Sequence, residues 1–353
     1  MEEPTMSSDE GDRISQLPDE ILINILCRFP LTNAAASTVL SKRWQHLFPS
    51  LPSFRTGMSS ADVLLADSDR YIASMRRIFR SRRTSGNPIK IVDIWADADK
   101  KKFDLIFHSL CSNGIEELTV SAAHDSSDYQ IPFCIFSCQT LTKMASWGFV
   151  LQVPRKFTGL GRLRRLEIGN TSINDAALKR ILSICPQIEE LILDHCRGIK
   201  NLVISSHNSL ARLRIHSYYK CPAIRITESP RLTSVALLRG NEYDYEYVSE
   251  DDDLDEEELQ GGKIWHLARF LGRLSQVTSL TLSFQSDHND FFEDFVRTEP
   301  VPESLPNGKC LLDMKELYLK LPLLDERFTS ILMCLLKALQ ICSISQLECF
   351  TEG

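Results

Sequence analysis

A chain of 353 residues exceeds one ordinary compact domain, so two domains or one elongated repeat array is expected. Hydrophobic residues make up 43% and charged residues 25%, a balance that excludes wholesale disorder. The net charge of -7 is a local matter: residues 242–258 hold eleven carboxylates and no Lys or Arg, the remainder is mildly basic, and no charge field draws the chain to nucleic acid or membrane.

Residues 1–12 are polar and acidic, are expected to be disordered, and lack the basic-then-apolar order of a secretory signal. No uncharged apolar run approaches the roughly 20 residues that a membrane helix needs. The expected location is therefore the cytoplasm, the nucleus or both. Eleven scattered cysteines read there as reduced thiols. Cys134 and Cys138 are the closest pair, but no second pair or nearby histidine completes a zinc set, so no metal or cofactor is expected.

Residues 13–55 read as three short helices. Pro18 belongs in the first turn of the first, where its missing N–H costs nothing, and Asp19 and Glu20 follow at the positive end of the helix dipole. Ile21, Leu22, Ile25 and Leu26 recur at helical spacing on one face. A second helix is expected after Thr32 or Asn33, running through Ala34 to Leu40 and offering Val39 and Leu40 to the same cluster. Ser41 caps a third, in which Trp44, Leu47 and Phe48 share a face until Pro49 and Pro52 stop it. Three helices in about forty residues are near the lower limit for an independent core, so part of this apolar surface should need a partner.

The run Leu17-Pro18-Asp19-Glu20-Ile21-Leu22, followed by Val39-Leu40-Ser41-Lys42-Arg43-Trp44, resembles the F-box of plant F-box proteins. Each half is weak alone; the two in this order and spacing are specific. The resemblance implies docking to a Skp-type adaptor, and through it to cullin and RING subunits of a ubiquitin ligase. Carried over by position, the adaptor face comprises Leu17, Pro18, Ile21, Leu22, Ile25, Leu26, Val39, Leu40, Trp44 and Leu47. The stretch Asn33 to Ala36 departs from the pattern, since many relatives carry more charge there. The competing reading is that these helices merely cap the repeats that follow.

A linker helix is expected within residues 56–87, on the apolar spacing of Val63, Leu64, Ile72, Met75 and Phe79. Its basic run, residues 76–83, reads as a solvated face interrupted by the core-facing pair Ile78 and Phe79 rather than as a phosphate-binding or nuclear-import signal. Gly86, Asn87 and Pro88 break the pattern.

From residue 88 to 353 the informative feature is a recurring L-x-x-L-x-L pattern, the mark of a short strand in a leucine-rich repeat. It appears at residues 115–120, 163–168, 188–193, 210–215, 232–237, 277–282 and 314–319, with a weaker copy at 141–146 and a last one at 344–349. The central apolar residues at 118, 144, 166, 191, 213 and 235 step by 26, 22, 25, 22 and 22, and those at 280 and 317 follow after 45 and 37, so insertions lie there. An acidic insertion at residues 241–262, rich in tyrosine at its start, fills the first and lacks the ligand spacing of a calcium loop. Outer helices are expected near residues 103–110, 174–182, 265–274 and 327–339; residues 199–204 and the pair Ile224 and Ile226 read instead as extended outer segments. The expected fold class is α/β, a three-helix F-box followed by a leucine-rich-repeat solenoid with a curved parallel sheet.

The run from Leu178 to Pro186, with Ile188-Glu189-Glu190-Leu191 after it, resembles the plant F-box leucine-rich-repeat family, and the likeness extends to about Leu319. Many relatives continue into a further C-terminal module. On the inner strands, residues flanking the buried leucine point to the open face, giving Arg165, Glu167, Glu190, Asp194, Arg212, Arg214 and His216 as a mixed-charge strip. It reads either as the site for a protein substrate or as an ordinary solvated sheet face. No H-E-x-x-H, G-x-S-x-G or phosphate-binding glycine loop is present, so the chain reads as a non-catalytic receptor subunit. A repeat scaffold with no ubiquitin role is the alternative.

Overall fold

The computed structural model describes residues 13–56, 68–96, 100–122, 130–205, 209–217, 223–227, 230–239, 274, 276–284 and 314–320. They fall into two compact units, Met1–Ala123 and His124–Gly353.

The first unit opens with helices α1 (Asp19–Leu26), α2 (Leu31–Ala36) and α3 (Lys42–Leu47). Pro18 stands just outside α1 rather than inside it, with its carbonyl accepting from Ile21 N and Leu22 N at 3.1 Å each. Pro30 plays the same part for α2, which starts earlier than its sequence suggests and passes into a 3₁₀ turn, Ser37–Val39. A proline can start a helix without leaving an N–H unsatisfied, which favours Pro30 over Thr32 as the boundary. Ser41 caps α3, accepting from Trp44 N at 3.5 Å. Leu22, Leu26, Ala34, Trp44, Leu47 and Leu51 form the core of this module. Arg43 ties the two halves of the motif together: it donates to Asp19 Oδ1 and to the carbonyls of Ser15 and Leu17.

The chain then enters a sheet at once. Strand β1 (Ser53–Arg55) pairs in parallel with β2 (Ile91–Ala96), and β2 with β3 (Glu117–Ala122), so that Phe54, Val92 and Leu118 lie in one register. Helix α4 (Ser68–Thr84) buries Ile72, Met75, Phe79 and Arg82, a helical spacing of three and four. Phe79 packs on Phe54 with ring centroids 4.9 Å apart. The basic run is thereby divided: Arg76, Arg77, Arg80 and Arg83 are exposed, whereas Arg82 donates to the Phe48 carbonyl at 2.8 Å and lies over the Phe48 ring. Burial holds the Arg82 guanidinium below its usual pKa. Helix α5 (Lys100–Ser112) contributes Ile106, Phe107 and Leu110 to the core.

The second unit contains β4 (Lys143–Trp147), β5 (Arg165–Gly169), β6 (Glu190–Asp194), β8 (Arg212–Ser217), β10 (Ser234–Arg239), β11 (Ser279–Phe284) and β12 (Glu316–Lys320), paired in parallel in that order. The register runs Met144, Leu166, Leu191, Leu213, Val235, Leu280, Leu317. These are the residues that the repeat spacing picks out, and the steps of 45 and 37 leave the register unbroken. Each strand starts about two residues into its motif. The leading residue, such as Leu163, Ile188, Leu210 or Leu232, is buried ahead of the strand, and backbone bonds such as Glu189 N to Arg164 O at 2.7 Å begin the ladder.

Connections differ as expected. Helix α6 (Asp175–Ile184) is capped by Asn174 Oδ1, which accepts from Ala177 N at 2.9 Å, and packs Leu178, Ile181 and Leu182 inward. Strands β7 (Asn201–Ser205) and β9 (Ala223–Thr227) form a separate two-stranded parallel sheet, with Leu202 opposite Ile224 and Ile204 opposite Ile226. The acidic insertion at 241–262, the strand expected at 344–349 and the helices expected at 265–274 and 327–339 lie outside the described residues, Leu274 apart. No helix among the described residues is long and apolar enough to cross a membrane.

Candidate functional site

Two surfaces carry the residues singled out in the sequence. On the N-terminal module, the expected adaptor face divides into two classes. Leu22, Leu26, Trp44 and Leu47 are at most 8% exposed and build the module's own core, so they are not offered at the surface. Pro18, Ile21, Val39 and Leu40 are exposed, and Leu17 and Ile25 are half-buried. The physical reason is size: a module of three short helices needs its largest side chains for itself, and only those beyond the single layer of core remain outside. Val39 and Leu40 stand out at 85% and 67% exposure, at the end of the 3₁₀ turn that rotates them away from the cluster the helical spacing had assigned them to. Among the described residues five of the seven large exposed hydrophobics, Ile14, Ile21, Phe29, Val39 and Leu40, belong to this module. Ile14 and Phe29 were not legible as surface residues, because neither falls on the repeating helical face.

On the second unit, the strands bring the mixed-charge strip together in rows. Arg165, Glu190 and Arg212 are register partners, as are Glu167, Ile192 and Arg214, and then Gly169, Asp194 and His216. The first row is an ion network: Arg165 donates to Glu167 at 2.8 Å and to Glu190 at 2.9 Å, and Arg212 approaches Glu190 at 3.4 Å. The hydrogen bond to Glu167, reinforced by the charges of Glu190 and Glu167, holds the Arg165 guanidinium above its ordinary pKa against the opposing effect of burial. Lys143, Arg164, Arg165, Glu189, Glu190 and Arg212 line a shallow depression here. Arg214 is exposed between the rows.

The third row departs from a solvated face. His216 is 5% exposed and Asp194 half-buried, and His195, which follows β6, turns back onto them. His195 Nε2 lies 3.3 Å and His216 Nδ1 3.2 Å from the same atom, Asp194 Oδ1. The two imidazole rings are 4.2 Å apart between centroids. Burial, then the neighbouring His216, push His195 down to about 4, with Asp194 pulling the other way, so the neutral ring is favoured. Cys196 turns aside, its Sγ donating to the Ile168 carbonyl at 3.3 Å, and burial raises its thiol to about 12. Sequence alignment of the repeats places Asp194 opposite His216, but nothing in it signals that His195 folds back.

Comparison with known proteins identifies the domains that carry these two surfaces. A family model described as F-box domain matches residues 14–56, and another, described as FBD-associated F-box protein At5g56370, LRR repeats, matches residues 103–248. Relatives from Arabidopsis thaliana include F-box/FBD/LRR-repeat protein At5g56420, 26% identical over 207 residues that cover 58% of this chain and 49% of the relative. FBD-associated F-box protein At4g10400 is 26% identical over 297 residues, covering 80% and 69%. F-box/LRR-repeat protein At3g03360 is 29% identical over 220 residues, covering 60% and 44%. The chain spans about half the length of the first curated relatives it matches. With an F-box and then leucine-rich repeats, the chain carries the two domains, in the same order, of the plant F-box/leucine-rich-repeat proteins to which it is similar.

Proposed function

We propose that the chain is the substrate-recruiting subunit of a Skp-cullin-F-box ubiquitin ligase. Its helical module docks a Skp-type adaptor that carries the cullin and RING subunits, and its repeats hold a protein substrate for ubiquitination. The chain supplies no chemistry of its own in this reading; transfer takes place on the recruited subunits, in the cytoplasm or nucleus.

The observation that carries the proposal is the exposure of Val39 and Leu40 beside a core that is already complete without them. A small module gains nothing by leaving two branched aliphatic side chains in water, whereas covering them on a partner contributes roughly 25 cal/mol for each Å² buried. The substrate surface proposed is the strip of Arg165, Glu167, Glu190, Arg212 and Arg214, where charges of both signs stand on a rigid parallel sheet.

The double substitution Val39→Asp with Leu40→Asp tests the docking half. Adaptor capture by the full chain is expected to fall at least about tenfold, the equivalent of 1.4 kcal/mol, with the far-UV circular dichroism and melting temperature unchanged. Undiminished capture would remove the ligase reading and leave a repeat scaffold with no ubiquitin role.

A further inference from the structure

The cluster at the end of β6 and β8 is not accounted for by either the docking or the substrate surface. Three side chains, the carboxylate of Asp194 and the imidazoles of His195 and His216, converge there, and their ligating atoms all lie within 4.8 Å of one another. Two of the three separations are 3.2 Å and 3.3 Å. In a tetrahedral zinc site with metal–ligand bonds of about 2.0–2.1 Å, neighbouring ligand atoms are about 3.3–3.4 Å apart. The His–Asp distances are therefore those of two edges of such a site, and the third pair of ligand atoms lies within 4.8 Å.

Plain hydrogen bonding explains the cluster less well. Both imidazoles address one carboxylate oxygen, yet Asp194 Oδ1, buried from solvent, accepts no well-formed hydrogen bond from any described residue. A buried carboxylate oxygen without one is costly. A cation placed between the three groups would satisfy it and would use each ring in its neutral form.

The backbone supplies an independent observation. Residues that follow successive strands take left-handed conformations: Gly148 at φ 75°, Asn170 at φ 43° and His195 at φ 47°. Glycine enters that region freely, and asparagine and histidine enter it more readily than most other side chains. The turn is nevertheless fixed, since Asn170 N donates to Asp194 O and His195 N to His216 O, both at 2.8 Å. This turn brings the His195 ring onto Asp194 and His216.

We propose that Asp194, His195 and His216 form a binding site for a zinc-class divalent metal ion that staples the turn after β6 to β8. Three protein ligands leave at least one coordination position for water or for a side chain of a bound protein. Neutral imidazole nitrogens with one carboxylate suit zinc and its first-row neighbours rather than calcium or magnesium.

The test uses the full chain stripped with a chelator and titrated with zinc against a chromophoric competitor. One zinc per chain is expected, with affinity falling at least tenfold in both His195→Asn and Asp194→Asn. Asparagine already occupies the matching left-handed position at residue 170, so His195→Asn should keep its fold, as circular dichroism will show. X-ray absorption of the zinc-loaded wild-type chain gives a reading independent of any variant: nitrogen and oxygen ligands at about 2.0–2.1 Å with imidazole scattering are expected. No zinc uptake, uptake unaltered in folded variants, or a sulfur shell at about 2.3 Å would each overturn the proposal.

Discussion

At the scale of single residues, exposure separates the two roles that one motif combines. Leu22 is 0% exposed and Val39 is 85% exposed, although both belong to the same resemblance and the same expected face. Leu22→Ala is therefore expected to cost about 2–5 kcal/mol in urea denaturation, while Val39→Ala stays within about 0.5 kcal/mol. Equal costs at the two positions would show that Val39 is covered within the chain and is not a docking residue. It follows that a charged substitution at Leu22 or Trp44 is a poor probe of docking, since loss of the core would be indistinguishable from loss of the interface. Helical spacing assigned Val39 and Leu40 to the core because it extended α2 to Leu40; the change to a 3₁₀ turn at Ser37 alters the angle per residue and turns them outward.

At the scale of elements, the repeats were legible because their physics is periodic. Alternate apolar residues and steps near 22 to 26 locate the strands, and the observed register of Leu166, Leu191 and Leu213 follows that spacing. Strands β1 and β2 were not, because Ser53-Phe54-Arg55 is too short to show alternation and Ile91 to Ala96 contains no leucine. The Asp194, His195 and His216 cluster was half legible: register supplies two members, and the third depends on a backbone turn that propensity does not encode. Elements are also joined by side chains that no repeat pattern requires. The Asp175 carboxylate, in the first turn of α6, accepts from Lys200 N at 2.8 Å and Asn201 N at 3.0 Å, binding the helix to the start of β7. Asp175→Ala is expected to cost about 1 kcal/mol and to speed amide exchange at Lys200 and Asn201 without affecting the strands of the main sheet. Unchanged exchange at those two amides would mean that the carboxylate does not anchor them.

At the scale of the whole molecule, docking and selection are assigned to different units, so they should fail separately. Reversing charge at Arg212 and Arg214 together is expected to reduce substrate capture while leaving adaptor capture intact, as paired affinity purification from the same cells would show. A parallel loss of both would mean that the two surfaces are not independent. The first unit also sets a practical limit on how the protein can be cut. The residues after the last helix of the F-box are already a strand: Ser53 and Phe54 are buried, Lys90 N and Ile91 N donate to Pro52 O, and Thr56 N donates to Asp93 O. A recombinant fragment ending near residue 56 would present an unpaired strand edge and a bare phenylalanine, both of which invite aggregation. For expression, the shortest soluble piece bearing the F-box should run to Ala123, the end of the first compact unit, with α4, β2, α5 and β3 included, and a protease should find no susceptible site between Leu51 and Arg55.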